Sequence, residues 1–328
     1  MIANTLKKII GILILLSAYF TGNTQVNHDR PTGGQQLMEG ISLFEDAQYG
    51  SALHIFDQIA LHHKRVGFND ISADAEFYAA ISALKLENSD AEYRIMNFIK
   101  RNPESPRINA ACFFMGQRKY QLQDWENTNY WFSRVDRYLL EENERAEYYF
   151  KQGYAQLILG KEENANKLFY ELLDFPQSDY YGPGVYYYSH IEYTRGNYET
   201  ALNGFKALKN DPTFSPVAPY YLAHIYFLQE KYELVISYIP TIINKVTPKR
   251  RSEMERMLGN AWFKTGNYDS AMVYLEKYKE SATNFQRYDL YQLAYAYYQK
   301  GKYEDAIGNF AMITNKADSL TQNSNYHL

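Results

Sequence analysis

Residues 265–278 read TGNYDSAMVYLEKY, and a stretch of this kind recurs along the second half of the chain. Its first four residues have the composition of a tight turn, because glycine readily adopts the left-handed backbone conformation that ends a helix. Successive turn positions lie 36, 34, 36 and 35 residues apart, at Gly160, Gly196, Glu230, Gly266 and Gly301. A period of this length is typical of helix–turn–helix units that stack side by side into a solenoid.

The residues on either side of Gly266 indicate how each unit packs. Ala271, Leu275 and Tyr278 follow the turn at the i, i+4, i+7 spacing of an apolar helix stripe. The small residues Gly259 and Ala271 let the two helices of the unit approach closely. A large apolar residue recurs at the centre of each stripe: Phe132, Phe169, Phe205, Ile239, Leu275 and Phe310.

Each unit contains, in order, a small residue, a Gly-Asn/Lys-Tyr turn, an alanine and a large residue four positions later. This pattern resembles the tetratricopeptide repeat (TPR) family. Prolines near the ends of three units agree with this resemblance: Pro103, Pro176 and Pro212. The resemblance covers residues 36–328 and implies an all-α, right-handed superhelical solenoid of about eight helix–turn–helix repeats. The repeats are predicted at 36–66, 73–104, 108–141, 145–178, 182–214, 216–247, 252–284 and 287–318.

The two ends of the chain differ from the repeats. Lys7 and Lys8 precede the apolar stretch 9–16, which is too short to span a bilayer but has the length of a signal peptide. We therefore predict a signal peptide at 1–24 and a flexible lead-in at 25–35, and expect a protein exported to the periplasm of a Gram-negative cell, with no integral membrane span after signal removal.

At the other end, residues 319–328 are predicted to begin a further, incomplete repeat that follows the repeat solenoid at 36–318. In this respect the chain resembles the N-terminal part of a larger exported bacterial TPR protein.

The composition and the motifs argue against several function classes. The net charge is −4 and the pI is near 6.0, so nucleic acid is not an expected partner. The sequence has no phosphate-binding glycine loop, no metal-spaced Cys/His cluster and no nucleophile motif. We predict that the protein is not an enzyme, with no catalytic residue, no cofactor and no metal site.

In TPR proteins, recurring positions of each first helix line an inner groove. When these positions are transferred to this sequence by aligning its repeats, the resemblance implies a partner-binding groove. Its residues are Phe150, Tyr154, Tyr186, His190, Tyr193, Tyr220, His224, Phe227, Arg256, Asn260, Tyr291, Tyr295 and Tyr298. The same register in the third repeat gives Phe113, Gln117 and Tyr120. Tyrosine combines contact area with a hydroxyl group and is enriched at recognition surfaces, although each aromatic residue here fits packing between repeats equally well.

Three functions are compatible with these features. The first is a non-catalytic scaffold whose groove binds a peptide or a partner protein, in cell-envelope assembly or secretion. The second is a carbohydrate-binding envelope protein, in which the aromatic rings stack on sugars. The third is the docking arm of a larger enzyme that continues past residue 328. The scaffold requires nothing beyond the residues described above and is the predicted function.

Overall fold

The computed structural model describes residues 32–66, 70–313 and 316–328, and every regular element in this part of the chain is helical. The predicted signal peptide at 1–24 and the lead-in up to residue 31 lie outside the described residues. The first helix begins at Gly33, so the last three residues of the predicted lead-in, 33–35, are helical.

Packing divides the chain into two compact units, residues 1–115 and 116–328. The helices of the first unit are α1 (Gly33–Glu45), α2 (Tyr49–Val66), α3 (Asp70–Lys85), α4 (Ala91–Arg101) and the first half of α5 (Ile108–Gln121). The second unit continues with α6 (Trp125–Phe132), α7 (Glu142–Ile158), α8 (Glu162–Glu171), α9 (Tyr181–Thr194), α10 (Tyr198–Ala207), α11 (Ala218–Leu228), α12 (Tyr232–Ile242), α13 (Pro248–Lys264), α14 (Tyr268–Ser281), α15 (Arg287–Gln299), α16 (Tyr303–Ala311) and α17 (Ser319–His327).

The first sixteen helices form eight successive pairs, in agreement with the all-α helical repeat predicted from the sequence. Each odd-numbered helix is the first helix of a repeat, and the following even-numbered helix is the second. Residues 319–327, predicted to begin a further repeat, form the helix α17.

A left-handed residue ends the first helix in each of these eight pairs. Four of them are glycines with φ of 71° to 82°: Gly160, Gly196, Gly266 and Gly301. The equivalent residues of the other pairs are Ala47, Glu87, Gln123 and Glu230, with φ of 56° to 58°. Each turn is closed by a bond from the next N–H to a carbonyl five residues earlier, as from Asn267 to Trp262 at 2.9 Å. This is the bond pattern of a Schellman motif, so every first helix ends in the same way with or without glycine.

Close contact between the two helices of a repeat depends on a small residue in the first helix. A Cβ added at Gly259 would lie 2.6 Å from Leu275, and one added at Gly153 would lie 2.9 Å from Phe169. The large residues predicted at the stripe centres are all fully buried: Phe132, Phe169, Phe205, Ile239, Leu275 and Phe310. The predicted packing within repeats is therefore confirmed.

Contact between successive repeats uses stacked rings. An aromatic residue of one first helix stacks on the buried phenylalanine of the preceding second helix, with interplanar angles of 3° to 21°. The pairs are Tyr78 on Phe56, Tyr187 on Phe169, Tyr221 on Phe205 and His327 on Phe310. Offset or parallel stacking of this kind stabilises a pair beyond the area it buries. The stacks therefore link neighbouring repeats through their cores at four junctions.

Candidate functional site: an aromatic surface on the first helices

The predicted groove residues lie at three recurring positions of the first helices α7, α9, α11, α13 and α15. We call these the first, middle and last groove positions; in α9 they are Tyr186, His190 and Tyr193. Most of the predicted residues are partly buried, with part of each side chain accessible to solvent. Tyr298 is more open, at 39% exposure, whereas Asn260 is only 4% exposed.

A ring contact passes from one repeat to the next along this surface. The last groove position of a first helix contacts the middle position of the following first helix. The pairs are Tyr120–Tyr154 at 6.0 Å, Tyr193–His224 at 5.8 Å and Phe263–Tyr295 at 5.8 Å between ring centroids. The predicted site is therefore a set of rings shared between neighbouring repeats.

Two further tyrosines join this surface and were missed by the sequence analysis. Tyr187 and Tyr221 each follow a predicted groove residue directly in the sequence. Tyr187 contacts Tyr154 at 5.4 Å, and Tyr221 contacts Tyr193 at 5.4 Å. Both tyrosines are visible in the sequence as the second members of the adjacent pairs 186–187 and 220–221. The groove positions transferred from the TPR family include only the first tyrosine of each pair, so the second was left out.

The centre of the surface is a patch on α9 and α11 that we call the tyrosine–histidine patch. Its members are Tyr186, His190, Tyr193, Tyr220, Tyr221 and His224. Within it, the Tyr193 hydroxyl and His224 Nδ1 are 2.9 Å apart, and the Tyr186 and Tyr221 hydroxyls are 3.5 Å apart. His190 contacts Tyr186 and Tyr221, at 6.1 Å and 5.7 Å between ring centroids. The patch is therefore a continuous group of rings with polar tips.

Burial keeps the tyrosine–histidine patch uncharged. Desolvation lowers the pKa of His190 and of His224 below the ordinary value of 6.5, so both imidazoles are neutral at pH 7. Desolvation also raises the pKa of Tyr221, and the hydrogen bond with Tyr186 adds to this effect. The patch presents neutral hydroxyl and imidazole groups to whatever it contacts.

Two intrahelical ion pairs lie on the first helices that precede and follow the patch. On the α7 side, Lys151 forms an ion pair with Glu147, whose Oε1 also accepts a hydrogen bond from Gln117 at 2.6 Å. On the α13 side, Arg256 binds Glu253 through two nitrogens, with the shortest contact at 2.6 Å. These two cations are matched by carboxylates of the same helix.

In the seventh repeat the polar groove residues have an internal role. The Asn260 amide donates to the Arg256 carbonyl at 2.9 Å and to Asp289 Oδ1 at 3.0 Å. The prediction that Asn260 lines an open groove is therefore not supported, because the amide is buried against the next repeat. Its partner Asp289, 1% exposed, was missed because the pairing joins residues 29 positions apart that share no motif.

The third and eighth repeats also differ from a simple open groove. Phe113 is 1% exposed and belongs to the core, so its prediction as a groove residue is wrong. Tyr291, Tyr295 and Tyr298 are packed against His327 of α17, at ring-centroid distances of 6.4, 5.3 and 5.2 Å. The surface on α15 is therefore partly covered by α17.

A cleft of about 1000 Å³ opens beside one end of the patch. It is lined by Tyr220, by Lys249, Arg250 and Glu253 at the start of α13, and by Tyr278. The Arg250 guanidinium lies 5.3 Å from the centre of the Tyr220 ring, a cation–π distance. Tyr220 is therefore shared between the patch and the cleft.

The comparison with protein families identifies one of these units. Residues 290–319 match the family model described as "Tetratricopeptide repeat", and this range corresponds closely to the helix pair α15 and α16. The eighth pair is a tetratricopeptide repeat. The resemblance to the TPR family is thereby confirmed, and the other pairs share its turn geometry and its packing.

Several solved structures are similar to this chain. MamA AMB-1 is 17% identical, with 54% of this chain and 97% of that chain covered and a TM-score of 0.45. A tetratricopeptide repeat protein from Parabacteroides merdae is 14% identical, with 78% and 97% covered and a TM-score of 0.41. The C-terminal part of a TPR repeat-containing protein from Cytophaga hutchinsonii is 14% identical, with 88% and 98% covered and a TM-score of 0.44. No curated protein matches the chain.

Within the described ranges, no helix combines the length and the hydrophobicity that a membrane crossing requires. Over the same residues, no group of three or more His, Cys, Asp or Glu side chains is arranged to hold a metal ion.

Proposed function

We propose that this TPR protein is a non-catalytic scaffold that binds a peptide or a partner protein along the first helices of its second unit. A TPR fold indicates a protein-interaction role in general. The observation that supports the particular surface is the run of half-buried rings that passes from Tyr120 through Tyr154 and Tyr187 to the tyrosine–histidine patch.

The chemistry of this surface favours binding over catalysis. Tyrosine rings provide apolar contact area, and their hydroxyls provide hydrogen bonds at low conformational cost. The carboxylates beside the patch, Glu147 and Glu253, are already engaged with Lys151 and Arg256. A surface of neutral rings with polar tips has the composition of a recognition site.

The cellular setting that we propose is the Gram-negative cell envelope, with a role in assembly or secretion. This part of the proposal rests on the sequence of residues 1–24, which has the charged start and the short apolar stretch of a signal peptide. Fractionation of cells that express the tagged full-length chain tests it. Recovery in the periplasmic fraction, with loss of the leader by mass spectrometry, is expected, and recovery in the cytoplasm would contradict it.

Capture of partners from envelope extract tests the binding surface. Residues 26–328 serve as bait, and the retained proteins are identified by mass spectrometry. The test variant is Tyr186→Ala/Tyr220→Ala, in the patch. The matched control is Tyr130→Ala/Tyr170→Ala, which removes two tyrosines that are 50% and 60% exposed on the second helices α6 and α8.

A protein retained by wild type and by the control, but lost from the patch variant, is the expected result. Both patch rings are half-buried, so the variant is less stable than wild type, and capture is measured well below its melting temperature with helicity checked by circular dichroism. Equal capture by all three chains would assign these tyrosines to packing between repeats and would contradict the proposed surface.

A further inference from the structure

The cleft beside the tyrosine–histidine patch carries two cations. Lys249 and Arg250 both line it, at the start of α13. Among the residues that the structure describes, no carboxylate lies within ion-pair distance of either side chain. Of the described residues that line the cleft, only Glu253 is acidic, and Arg256 binds it through two nitrogens. The cleft is therefore locally cationic on a chain whose net charge is −4.

The other two arginines of α13 are already paired. Arg251 Nε lies 3.9 Å from Glu255 Oε1, and Arg256 Nη2 lies 2.6 Å from Glu253 Oε1. Both of these carboxylates belong to α13 itself. Arg250 differs from its neighbours because its charge has no carboxylate within the helix, so it is available to pair with a carboxylate from a ligand.

The protein holds Arg250 in an orientation that suits a carboxylate. Its guanidinium lies 5.3 Å from the centre of the Tyr220 ring, and its Nη1 donates to the Pro216 carbonyl at 3.3 Å. These contacts engage one of the three guanidinium nitrogens, so Nε and Nη2 remain for a ligand. A guanidinium binds a planar carboxylate through two parallel hydrogen bonds, which makes such pairs both strong and selective.

The cleft is continuous with the ring surface through Tyr220. The Tyr220 ring contacts Tyr221 and His224 of the patch, at 5.6 Å and 5.9 Å between ring centroids, and it also lines the cleft. A peptide segment that crosses Tyr220 therefore meets neutral rings on one side and the two cations on the other. Apolar side chains complement the rings, and carboxylates complement the cations.

We propose that the cleft binds the acidic side chains of a peptide segment, with Lys249 and Arg250 pairing with its Asp or Glu carboxylates while neighbouring apolar side chains pack on Tyr220 and the patch. This inference rests on the proposed function and names the partner class of the same surface: a protein segment in which acidic residues lie beside apolar or aromatic ones.

The test selects binders from a library of random 12-residue peptides displayed on phage, with residues 26–328 as the target. Wild type is compared with Lys249→Glu/Arg250→Glu, which reverses the charge of the cleft. Glutamate in the first turn of a helix is favoured by the helix dipole, so the charge-reversed chain is expected to fold, and circular dichroism checks this.

The matched control is Lys161→Glu/Lys264→Glu, which changes the net charge by the same amount. Both lysines are exposed, and neither lines the cleft. Lys264 is the last residue of α13 and lies about 22 Å from Lys249 along the helix, at 1.5 Å per residue. The control therefore separates an effect of the cleft from an effect of total charge.

Wild type and the control are expected to select peptides enriched in Asp and Glu beside apolar residues, and the charge-reversed chain is expected to select peptides enriched in Lys and Arg. Loss of folding cannot produce such an inversion. The most enriched wild-type peptide is then synthesised with acetyl and amide ends, so that it has no terminal carboxylate. Fluorescence anisotropy should show that it binds the charge-reversed chain at least about tenfold more weakly, and that its binding to wild type weakens as salt is raised.

The same charge preference in all three chains, or no peptide selected by wild type, would overturn the inference. An oligogalacturonate that binds wild type through Lys249 and Arg250 when no peptide does would assign the cleft to an anionic sugar, and would overturn it as well.

Capture from envelope extract separates this inference from the proposed function. If the Tyr186→Ala/Tyr220→Ala chain loses a protein partner that the charge-reversed chain retains, and the selected peptides show no acidic preference, the scaffold function stands and the inference about the cleft fails. If the Tyr186→Ala/Tyr220→Ala chain captures the same proteins as wild type, the proposed surface itself fails.

Discussion

Tyr221 lies flat on Phe205, with ring centroids 4.4 Å apart and ring planes within 3° of parallel. Phe205 is fully buried in α10, and Tyr221 belongs to the tyrosine–histidine patch on α11. The Tyr221 ring also makes an edge-to-face contact with His190, with ring centroids 5.7 Å apart. One side chain therefore connects the core of one repeat to the candidate binding surface of the next, so stability and recognition are coupled at this point.

We expect Tyr221→Ala to lower the free energy of unfolding by about 3 kcal/mol, the lower end of the range for removing a buried aromatic ring, since Tyr221 is only partly buried. Tyr221→Phe keeps the stack on Phe205 and removes only the long hydroxyl contact with Tyr186, so a change below about 1 kcal/mol is expected. Urea denaturation followed by circular dichroism measures both. Similar losses in the two variants would show that the hydroxyl, and not the stacked ring, stabilises this junction.

The left-handed turns give a second prediction. Gly266 has φ of 78°, which costs an L residue about 1–2 kcal/mol, so Gly266→Ala should lower the free energy of unfolding by about that amount. Gly308, exposed in the middle of α16 with open space around it, is the matched control. Gly308→Ala should raise stability by about 0.5–1 kcal/mol, because alanine has the higher helix propensity. Thermal and urea unfolding measure the pair, and a stabilising Gly266→Ala would contradict the turn geometry.

The buried carboxyl group Asp289 predicts a pH dependence of stability. Desolvation raises its pKa above the ordinary value of 3.8, and the hydrogen bond from Asn260 opposes this only in part. The folded state then binds more protons than the unfolded state between these two pKa values, so this group lowers stability as pH rises through that interval.

Asp289→Asn removes the titration while keeping the size of the side chain. The stability of wild type relative to this variant should therefore fall as pH rises above 3.8. Urea unfolding of both chains at a series of pH values gives the difference directly. A difference that does not change with pH would show that Asp289 has the same pKa folded and unfolded.

The two patch histidines predict the opposite slope at higher pH. Desolvation lowers the pKa of His190 and of His224 below 6.5, so the unfolded chain binds more protons than the folded chain just below that value. Their contribution to stability is complete above pH 6.5 and is lost as pH falls through the lowered pKa values. The neighbouring charges act on His224 in opposite directions, Glu253 raising its pKa and Arg256 lowering it.

His190→Gln/His224→Gln should flatten this part of the pH profile relative to wild type. NMR titration of the two imidazole resonances checks the same point without denaturant. Midpoints at or above 6.5 for both histidines would contradict the burial described for the patch.

Much of the fold could be predicted from the sequence because its signals are local. Gly266 and Leu275 lie within one repeat, and the turn and the stripe that they predict are both present. The left-handed residues Ala47 and Gln123 were not predicted, because the closing hydrogen bond can hold any residue in this conformation and only glycine is a recognisable signal for it in the sequence.

The candidate site was less predictable because its contacts join different repeats. The register selected Tyr193 and His224, which contact each other across 31 positions, and their role in binding stays a prediction. The same register placed Phe113 and Asn260 in the groove, but both side chains are buried. Whether a side chain at this position faces the groove depends on its neighbours in the next repeat, as the hydrogen bond between Asn260 and Asp289 illustrates. Such neighbours share no motif and are identified only once the helices are packed.

One ring contact joins the last groove position of a first helix to the middle groove position of the next first helix. This contact limits how small the ring surface can be. Each contact needs residues from two consecutive repeats. The smallest unit of this surface is therefore the junction between two repeats, and a single repeat cannot form it alone. The contact is present at alternate junctions, between the third and fourth, the fifth and sixth, and the seventh and eighth repeats. A substitution at one of these rings therefore alters the surface of two repeats at once.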